Sequence, residues 1–510
     1  MELAVMSLLM MALTGGIAGE LAPPERPYKI LMLFPVSTKS YSNTFLTLAE
    51  ALADRGHKVV MLTNHPKSSN HPNISEITHG LTYFREENIN VFQSLKNPSK
   101  LFELVPTVAR DLYHVPAVKD LYNSRKQFDL MIVSIFVNEL SYPFLLGMPF
   151  VSVLTQTLNP RQSAAQGNVL HPAYVPSWGA LRAPASAWER GLNALSHIYK
   201  ALDYRFRYLP LVQKEISAHF PDLPPLQELE RNSSLTFINT HFTLGAPLPL
   251  LPSQVEVAAM HCRPGKLLPQ ELESWITGAG SAGVIYFALG SFIRGKNMPS
   301  QYRDLFLQAF RRLPQRVIWK YEEELENVPD NVMISNWLPQ QDILAHHRVK
   351  VFITHGGMFS MLEAIYHATP LLVLPISNDQ PRNAMFVTDA GVGLTLVWDA
   401  LTVDILLHTL ARLINHSKYK DNVLKMSAGL RDQPTSPRDL AVFWTEYVIR
   451  HRGAPHLRSP AAQLSWVEFL MLDVILLLLL ALFIFYFILR RFLSLLSRDI
   501  SGSAGSAKKD

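Results

Sequence analysis

Between Ser335 and Gln380, short apolar runs alternate with segments of helical period. Val349–Ile353 and Leu371–Pro375 read as buried strands, and Gln340–His346 and Phe359–His367 as helices. That rhythm belongs to βαβ units on a parallel sheet, and it constrains this stretch to an α/β fold. Thr354-His355-Gly356-Gly357 falls where a strand ends and a helix begins. Paired glycines let backbone N–H groups come close to a ligand, and a helix N-terminus favours an anion. The loop suits a phosphate.

The same grammar recurs along the chain. Tyr28–Phe34 is a first strand, and the polar turn Ser37-Thr38-Lys39-Ser40 leads into a helix over Ser42–Arg55, with Phe45, Leu48, Ala49 and Leu52 at helical spacing. Gly56 stops that helix and Lys58–Leu62 follows as a strand. No G-x-G-x-x-G stands in this loop, so no dinucleotide is implied there. Leu130–Val133, Phe150–Leu154, Gly283–Leu289, Val317–Lys320 and Val332–Ile334 are further strands, and Tyr302–Leu313 is a helix. Asn88–Arg125 shows no clean period. Asn239–Pro264, dense in Pro and Gly, reads as the crossing between two halves. Val442–Arg450 leads toward the C-terminal apolar segment.

A chain of 510 residues can hold two domains, each with its own core. Charged residues are 17% and the formal net charge is +5, with Lys and Arg scattered, so a nucleic-acid surface is excluded. Cys262 stands alone, so no intrachain disulfide and no cysteine-rich metal site is possible; it reads as a small buried residue. Residues 1–19 resemble a secretory signal peptide, with an apolar core over Leu3–Leu13 followed by Gly15, Gly16, Ala18 and Gly19. Phe469–Leu489, interrupted only by Asp473, is long enough to cross ~30 Å of hydrocarbon. Trp466 precedes it and Arg490, Arg491 and Arg498 follow, which puts the 490–510 tail in the cytosol and the bulk of the chain in the lumen. Asn73, Asn232 and Asn415 begin sequons that would then face a glycosylating compartment.

The 335–380 stretch resembles the nucleotide-binding signature of the UDP-glycosyltransferase family: W-L-P-Q-x-D-I-L from Trp337, F-I-T-H-G-G from Phe352, S-x-x-E-A from Ser360 and P-x-x-x-D-Q from Pro375. The resemblance runs from Lys29 to the apolar C-terminal segment, strong in the second half and patchy in the first. It implies two Rossmann-like domains facing a cleft (the GT-B arrangement) plus a transmembrane helix. It further implies an acceptor-binding domain over 20–245, a UDP-sugar-binding domain over 246–452, a juxtamembrane segment over 453–468, a span over 469–489 and residence in the endoplasmic reticulum membrane as a single-pass type I protein. Partners would be a UDP-sugar, a small lipophilic acceptor, the membrane and oligomers with itself or relatives, with no cofactor. Asn159–Pro224, rich in Pro, Trp and Tyr, would line the acceptor pocket; from composition it reads equally as a helical cap. The chain ends Lys508-Lys509-Asp510, one place out of step with a dilysine retrieval signal.

The resemblance assigns the donor site residue by residue. Trp337 offers a flat face on which a base stacks for ~1–3 kcal/mol. Gln340 would bond uracil or ribose, and Glu363 would accept from ribose hydroxyls. His355, Gly356, Gly357, Ser291 and Ser360 would meet the phosphates, with Phe359 standing where some relatives have a polar phosphate contact. Asp379 and Gln380, expected at a strand end, would hold the sugar. His346 and His347 lack a further ligand at metal spacing, so no metal is expected; the helix dipole and His355 would stabilise the leaving UDP.

The acceptor side departs from the family. Its members invert at the anomeric carbon, with a histidine in the first βα loop as base and an N-domain carboxylate orienting it. Here Tyr41 occupies the histidine's place and Ser134 the acid's. A phenol of pKa ~10 is a poor base at neutral pH. Glu139 is a nearby carboxylate that either replaces the base or is an ordinary loop residue. Two functions stay open: a glycosyltransferase with a relocated or dispensable base, and a UDP-sugar-binding partner with little catalysis.

Overall fold

The structure, a computed structural model, describes residues 21–83, 92, 103–177 and 182–506, with side chains to 495. The expected signal peptide lies outside the described residues. The chain divides into two units, one ending at Arg458 and the other beginning at Ser459.

The first unit contains two parallel sheets. One runs β1 (Lys29–Phe34), β2 (Lys58–Thr63), β3 (Ile74–Thr78), β4 (Leu130–Ser134), β5 (Phe150–Leu154), β6 (Leu235–Ile238) and β7 (Gln254–Glu256), in spatial order β3-β2-β1-β4-β5-β6-β7. The other runs β8 (Val284–Ala288), β9 (Arg316–Lys320), β10 (Val332–Ser335), β11 (Val349–Thr354), β12 (Leu371–Val373) and β13 (Gly393–Thr395), in order β10-β9-β8-β11-β12-β13. In each, the strand order reverses beside the first strand, between β1 and β4 and between β8 and β11. Doubly wound sheets place ligands at that crevice. The period-2 geometry of strands explains why these read as unbroken apolar runs. Ile30, Met32 and Phe34 of β1 enter one core while Leu31 and Leu33 enter the core on the other face. Ile285 and Phe287 of β8 likewise part from Val284, Tyr286 and Ala288.

Several local readings are corrected. The first helix begins at Lys39, not Ser42: Thr38 caps it by accepting from the Tyr41 amide, which puts Lys39 and Ser40 of the expected turn into the first helical turn. β12 stops at Val373, so Asp379 and Gln380 do not end a strand. They open the helix Gln380–Asp389 instead, after a turn in which Asn378 takes φ +58° and the Gln380 side chain accepts from the amides of Ile376 and Ser377. β7 lies beyond residue 245 and still pairs with β6 of the first sheet. Within the unplaced 88–125 stretch, helices cover Val105–Leu112 and Pro116–Asn123, each with Pro in its first turn. Asn159–Pro224 is helical over Ala187–Asp203 and Leu209–His219, joined by a π-helical turn at Tyr204–Tyr208.

Val442–Arg450 does not simply lead away from the domains. It belongs to the helix Pro437–Arg450, whose Ala441, Val442 and Val448 pack into the core that also holds Phe45 and Leu48. Buried Glu446 fastens it there: it accepts from Arg55 Nε at 2.6 Å and Nη2 at 3.1 Å and lies 2.9 Å from His57 Nε2.

The second unit is a short helix, Trp466–Phe469, then a helix over Leu472–Ser506. A capping box between Ser465 and Glu468 starts the short helix, and the left-handed backbone of Met471 separates it from the long one, which begins three residues after the expected start. Leu472–Leu495 is long and apolar enough to cross a membrane. The helix runs on past Leu489 through Arg490 and Arg491, since no proline interrupts it.

Candidate active site

The C-terminal edges of both sheets meet in one cleft. From the first sheet come the N-terminal turn of the helix Lys39–Asp54 and the end of β4. From the second come the loops after β8, β11 and β12 and the start of the helix Gln340–Ala345. Ser40 Oγ stands 2.8 Å from Ser291 Oγ, and Lys39 Nζ lies 3.9 Å above the ring of Trp337. Tyr41 and Phe359 meet edge to face with centroids 6.3 Å apart. Tyr41, Ser291, Trp337 and Phe359, singled out from sequence, all lie where the two halves touch.

His355 directly follows β11 in a nest of glycines. A Cβ on Gly290 would stand 2.7 Å from its Cε1, and one on Gly357 2.5 Å from its Nε2. Gly290 and Gly356 also take φ of +84° and +82°, which side chains rarely adopt. Burial pushes the imidazole down to about 4, so His355 is neutral at physiological pH. The next helix, Met358–Tyr366, points its N-terminus into the same space. Asp379 accepts from the Met358 amide at 3.2 Å and from Asn383 Nδ2 at 2.7 Å, and Asn383 also donates to the Gly356 carbonyl at 2.9 Å. Asp379 therefore braces the His-Gly-Gly loop, and burial raises its carboxyl.

Gln340, Ser360 and Glu363 form one network. Gln340 Nε2 donates to Ser360 Oγ at 3.1 Å and to the Glu363 carboxylate, while Tyr286 Oη donates to Gln340 Oε1 at 3.1 Å. Burial pushes the Glu363 carboxyl up to about 7. His261 Nε2 lies 3.7 Å from Glu363 Oε1, and its ring meets Phe359 edge to face at 5.1 Å. Trp337, by contrast, is 54% exposed. Tyr286, His261, Lys39 and Asn383 were not identified from sequence. Each is brought in by tertiary contact; Lys39, Tyr286 and His261 stood in segments noted only as a turn, a strand and a crossing, and Asn383 stood in none.

Tyr41 and Ser134 face each other, hydroxyl to hydroxyl, at 2.8 Å. Burial raises the phenol above its ordinary value, against hydrogen bonds from Ser134, Thr155 and the Phe136 backbone. At neutral pH even less of Tyr41 is present as phenolate than in water, so it is less available as a base. Glu139 is not with them. It is buried beneath the helical cap, where Tyr204 Oη donates to its Oε1 at 2.6 Å, and burial raises its carboxyl despite Arg161 nearby. Arg161 itself pairs with Glu230 at 2.7 Å and lies 3.7 Å over the Tyr204 ring. Among the described residues no group of three His, Cys, Asp or Glu could hold a metal. Of the sequons, Asn232 and Asn415 are exposed and Asn73 is half-buried.

Residues 57–505 match the family model described as "UDP-glucoronosyl and UDP-glucosyl transferase". The chain belongs to this UDP-glycosyltransferase family. Its similarity to UDP-glucosyltransferase 2 of Dactylopius coccus is 35% identity over 496 residues, covering 94% of this chain and 95% of that protein. UDP-glucuronosyltransferase 2B13 of Oryctolagus cuniculus is 30% identical over 512 residues, covering 94% and 95%. Human 2-hydroxyacylsphingosine 1-beta-galactosyltransferase is 29% identical over 479 residues, covering 90% and 87%. Among solved structures, a UDP-glucosyltransferase from Polygonum tinctorium superposes with TM-score 0.59 at 14% identity, covering 83% of this chain and 99% of that one. The calicheamicin glycosyltransferase CalG4 gives 0.56 at 18%, covering 83% and 99%. These neighbours establish the two-domain GT-B fold for this glycosyltransferase. Membership is consistent with a UDP-sugar donor. The relatives' printed names span glucosyl, glucuronosyl and galactosyl transfer, so membership leaves the sugar open.

Proposed function

We propose that this protein transfers a hexosyl group from a UDP-sugar to the hydroxyl of a small lipophilic acceptor, with inversion and without a metal ion. The observation that carries the reading is the grouping of Gln340, Ser360 and Glu363 beside the glycine-nested His355. Trp337 would stack on uracil, and Gln340 and Glu363 would hold uracil or ribose. The helix N-terminus at Met358, neutral His355, Ser291 and Ser360 would take the diphosphate, so leaving-group charge meets N–H and O–H donors rather than a cation. Asp379 and Gln380 would present the sugar, Asp379 also keeping its bracing role. Lys39 lies over the Trp337 ring and would have to move aside, or leave the opposite face for the base.

Inversion requires the acceptor oxygen to attack opposite the UDP, next to Tyr41 and Ser134. A raised phenol and a serine supply no base, so the acceptor's own acidity would control the rate. The second reading, a UDP-sugar-binding protein of low activity, is favoured by that same pair. Glu139, engaged with Tyr204, supports neither strongly. The protein would sit in the endoplasmic reticulum membrane with both domains lumenal, and exposed Asn232 and Asn415 would be the more accessible glycosylation sites. Turnover of labelled UDP-glucose and UDP-glucuronic acid over a graded panel of phenols and alcohols tests the reading. Transfer to some acceptors supports catalysis; tight donor binding with no transfer to any selects the second reading.

A further inference from the structure

The first sheet has a second concavity, at the edge opposite the cleft. Three segments distant in sequence enclose a cavity of about 380 Å³ there: the turn before β5, the helix Leu226–Arg231, and the loop after the helix Pro437–Arg450. That volume is in the range of small-molecule sites. Met148, Phe150 and Leu229 supply apolar wall, and Leu146 beside them is 39% exposed. Arg452 and Arg458 also line the cavity, against one carboxylate, that of exposed Glu228.

Arg458 is the unusual member. It is half-buried, and its Nε is enclosed with no hydrogen-bond partner among the described residues. Burial lowers its pKa from the ordinary arginine value, and no neighbouring carboxylate offsets that effect. Arg55, Arg161 and Arg263, by contrast, each grip a carboxylate, on Glu446, Glu230 and Asp342. The hydroxyl of fully buried Ser234 is likewise unpartnered among the described residues. A Cβ on Gly453 would lie 3.5 Å from Ser234 Oγ and 4.0 Å from Arg458 Nη2, so both polar groups border the same glycine of the cavity wall.

A guanidinium withdrawn from water without a counter-charge is costly. Its planar fork matches the two oxygens of a carboxylate. The apolar wall suits a hydrocarbon body behind that head, and a neutral ligand would fill the space but leave the charge uncompensated. We infer that this cavity binds a small organic carboxylate with an apolar body, the head on Arg458 and Ser234 and the body against Met148, Phe150 and Leu229. Because β5 begins here and its other end faces the cleft, this ligand and a donor would be bound together. The inference is independent of the donor-site reading.

The test uses the full chain in phosphatidylcholine nanodiscs, titrated by calorimetry with phenylbutyrate and with its neutral amide. The wild type should bind the acid at least tenfold more tightly than the amide, with or without saturating UDP. Arg458→Gln should remove that preference. Leu146→Trp, which adds bulk to the cavity, should weaken both ligands. Retained UDP affinity establishes that each variant is folded. Equal binding of acid and amide by the wild type overturns the inference, as does acid binding that neither substitution alters. Loss of acid binding on adding UDP also overturns it, by moving the site to the cleft. Displacement of the acid when phosphatidylglycerol replaces part of the phosphatidylcholine overturns the free carboxylate in favour of a lipid headgroup.

Discussion

The hydroxyls of Tyr41 and Ser134 hydrogen-bond at 2.8 Å, although 93 residues separate them. One lies in the first turn of the first helix and the other ends β4, the two elements at that sheet's switch point. We propose that these two positions are those of the family's base and its orienting acid, here held by a phenol and a serine.

This pairing predicts the acceptor range. General base help is worth ~10²–10⁴-fold, so alcohols should react far more slowly than acidic phenols in the wild type. Tyr41→His with Ser134→Asp should raise alcohol transfer, and Tyr41→His alone should do less because nothing would orient the imidazole. Rates for a matched phenol and alcohol check this. Equal wild-type rates with no gain in the double variant would assign the base elsewhere, with Glu139→Gln the next variant to measure.

The donor residues should act without metal. Trp337→Ala and His355→Ala should each weaken UDP binding tenfold or more, about 1.4 kcal/mol. EDTA should change nothing. Calorimetry reads both, and unchanged affinity in the two variants would remove the nucleotide roles given to them.

Glu363 predicts a pH dependence. Its carboxyl, raised to about 7 by burial, must ionise to accept ribose hydroxyls. Affinity for UDP-glucose, whose diphosphate does not titrate there, should increase from about pH 6 to pH 8, by at most tenfold per unit. His355, held near 4, contributes nothing in that range. The sign for stability is opposite. A carboxyl raised in the folded state costs nothing below its unfolded value of ~4.3, a growing penalty up to about 7 and the full penalty above it. Glu363→Gln should bind with no slope, and a slope that persisted would point to another group.

Glu446 predicts a stability loss. It is buried against Arg55 and His57, and despite the desolvation that opposes them its carboxyl lies below the ordinary range. Removing it strands buried charge, so Glu446→Ala should cost about 3–5 kcal/mol. Arg450→Ala, at the more exposed edge of the cluster, should cost much less. Thermal unfolding in detergent compares the two; equal midpoints would show that burial of Glu446 does not set the strength of this clamp.

The sequence by itself determined the two parallel sheets, the glycine-flanked loop at His355 and the 335–380 signature, because a strand buried on both faces writes an apolar run and the glycines write the close approach. Local boundaries slipped where side chains, not periods, decide them: Thr38 capping the first helix, and Gln380 folding the turn after β12. Tertiary structure alone decided that Tyr41 meets Ser134, that Ser40 meets Ser291 across 251 positions, and that Asp379, expected from sequence as a sugar contact at a strand end, braces the His-Gly-Gly loop. It also returned the helix Pro437–Arg450 to the first domain, through ion pairs spanning 391 and 389 positions. Hydrophobic period reports which face of an element is covered, but not which element covers it. That choice comes from packing between distant parts of the chain, and the site is assembled from such contacts.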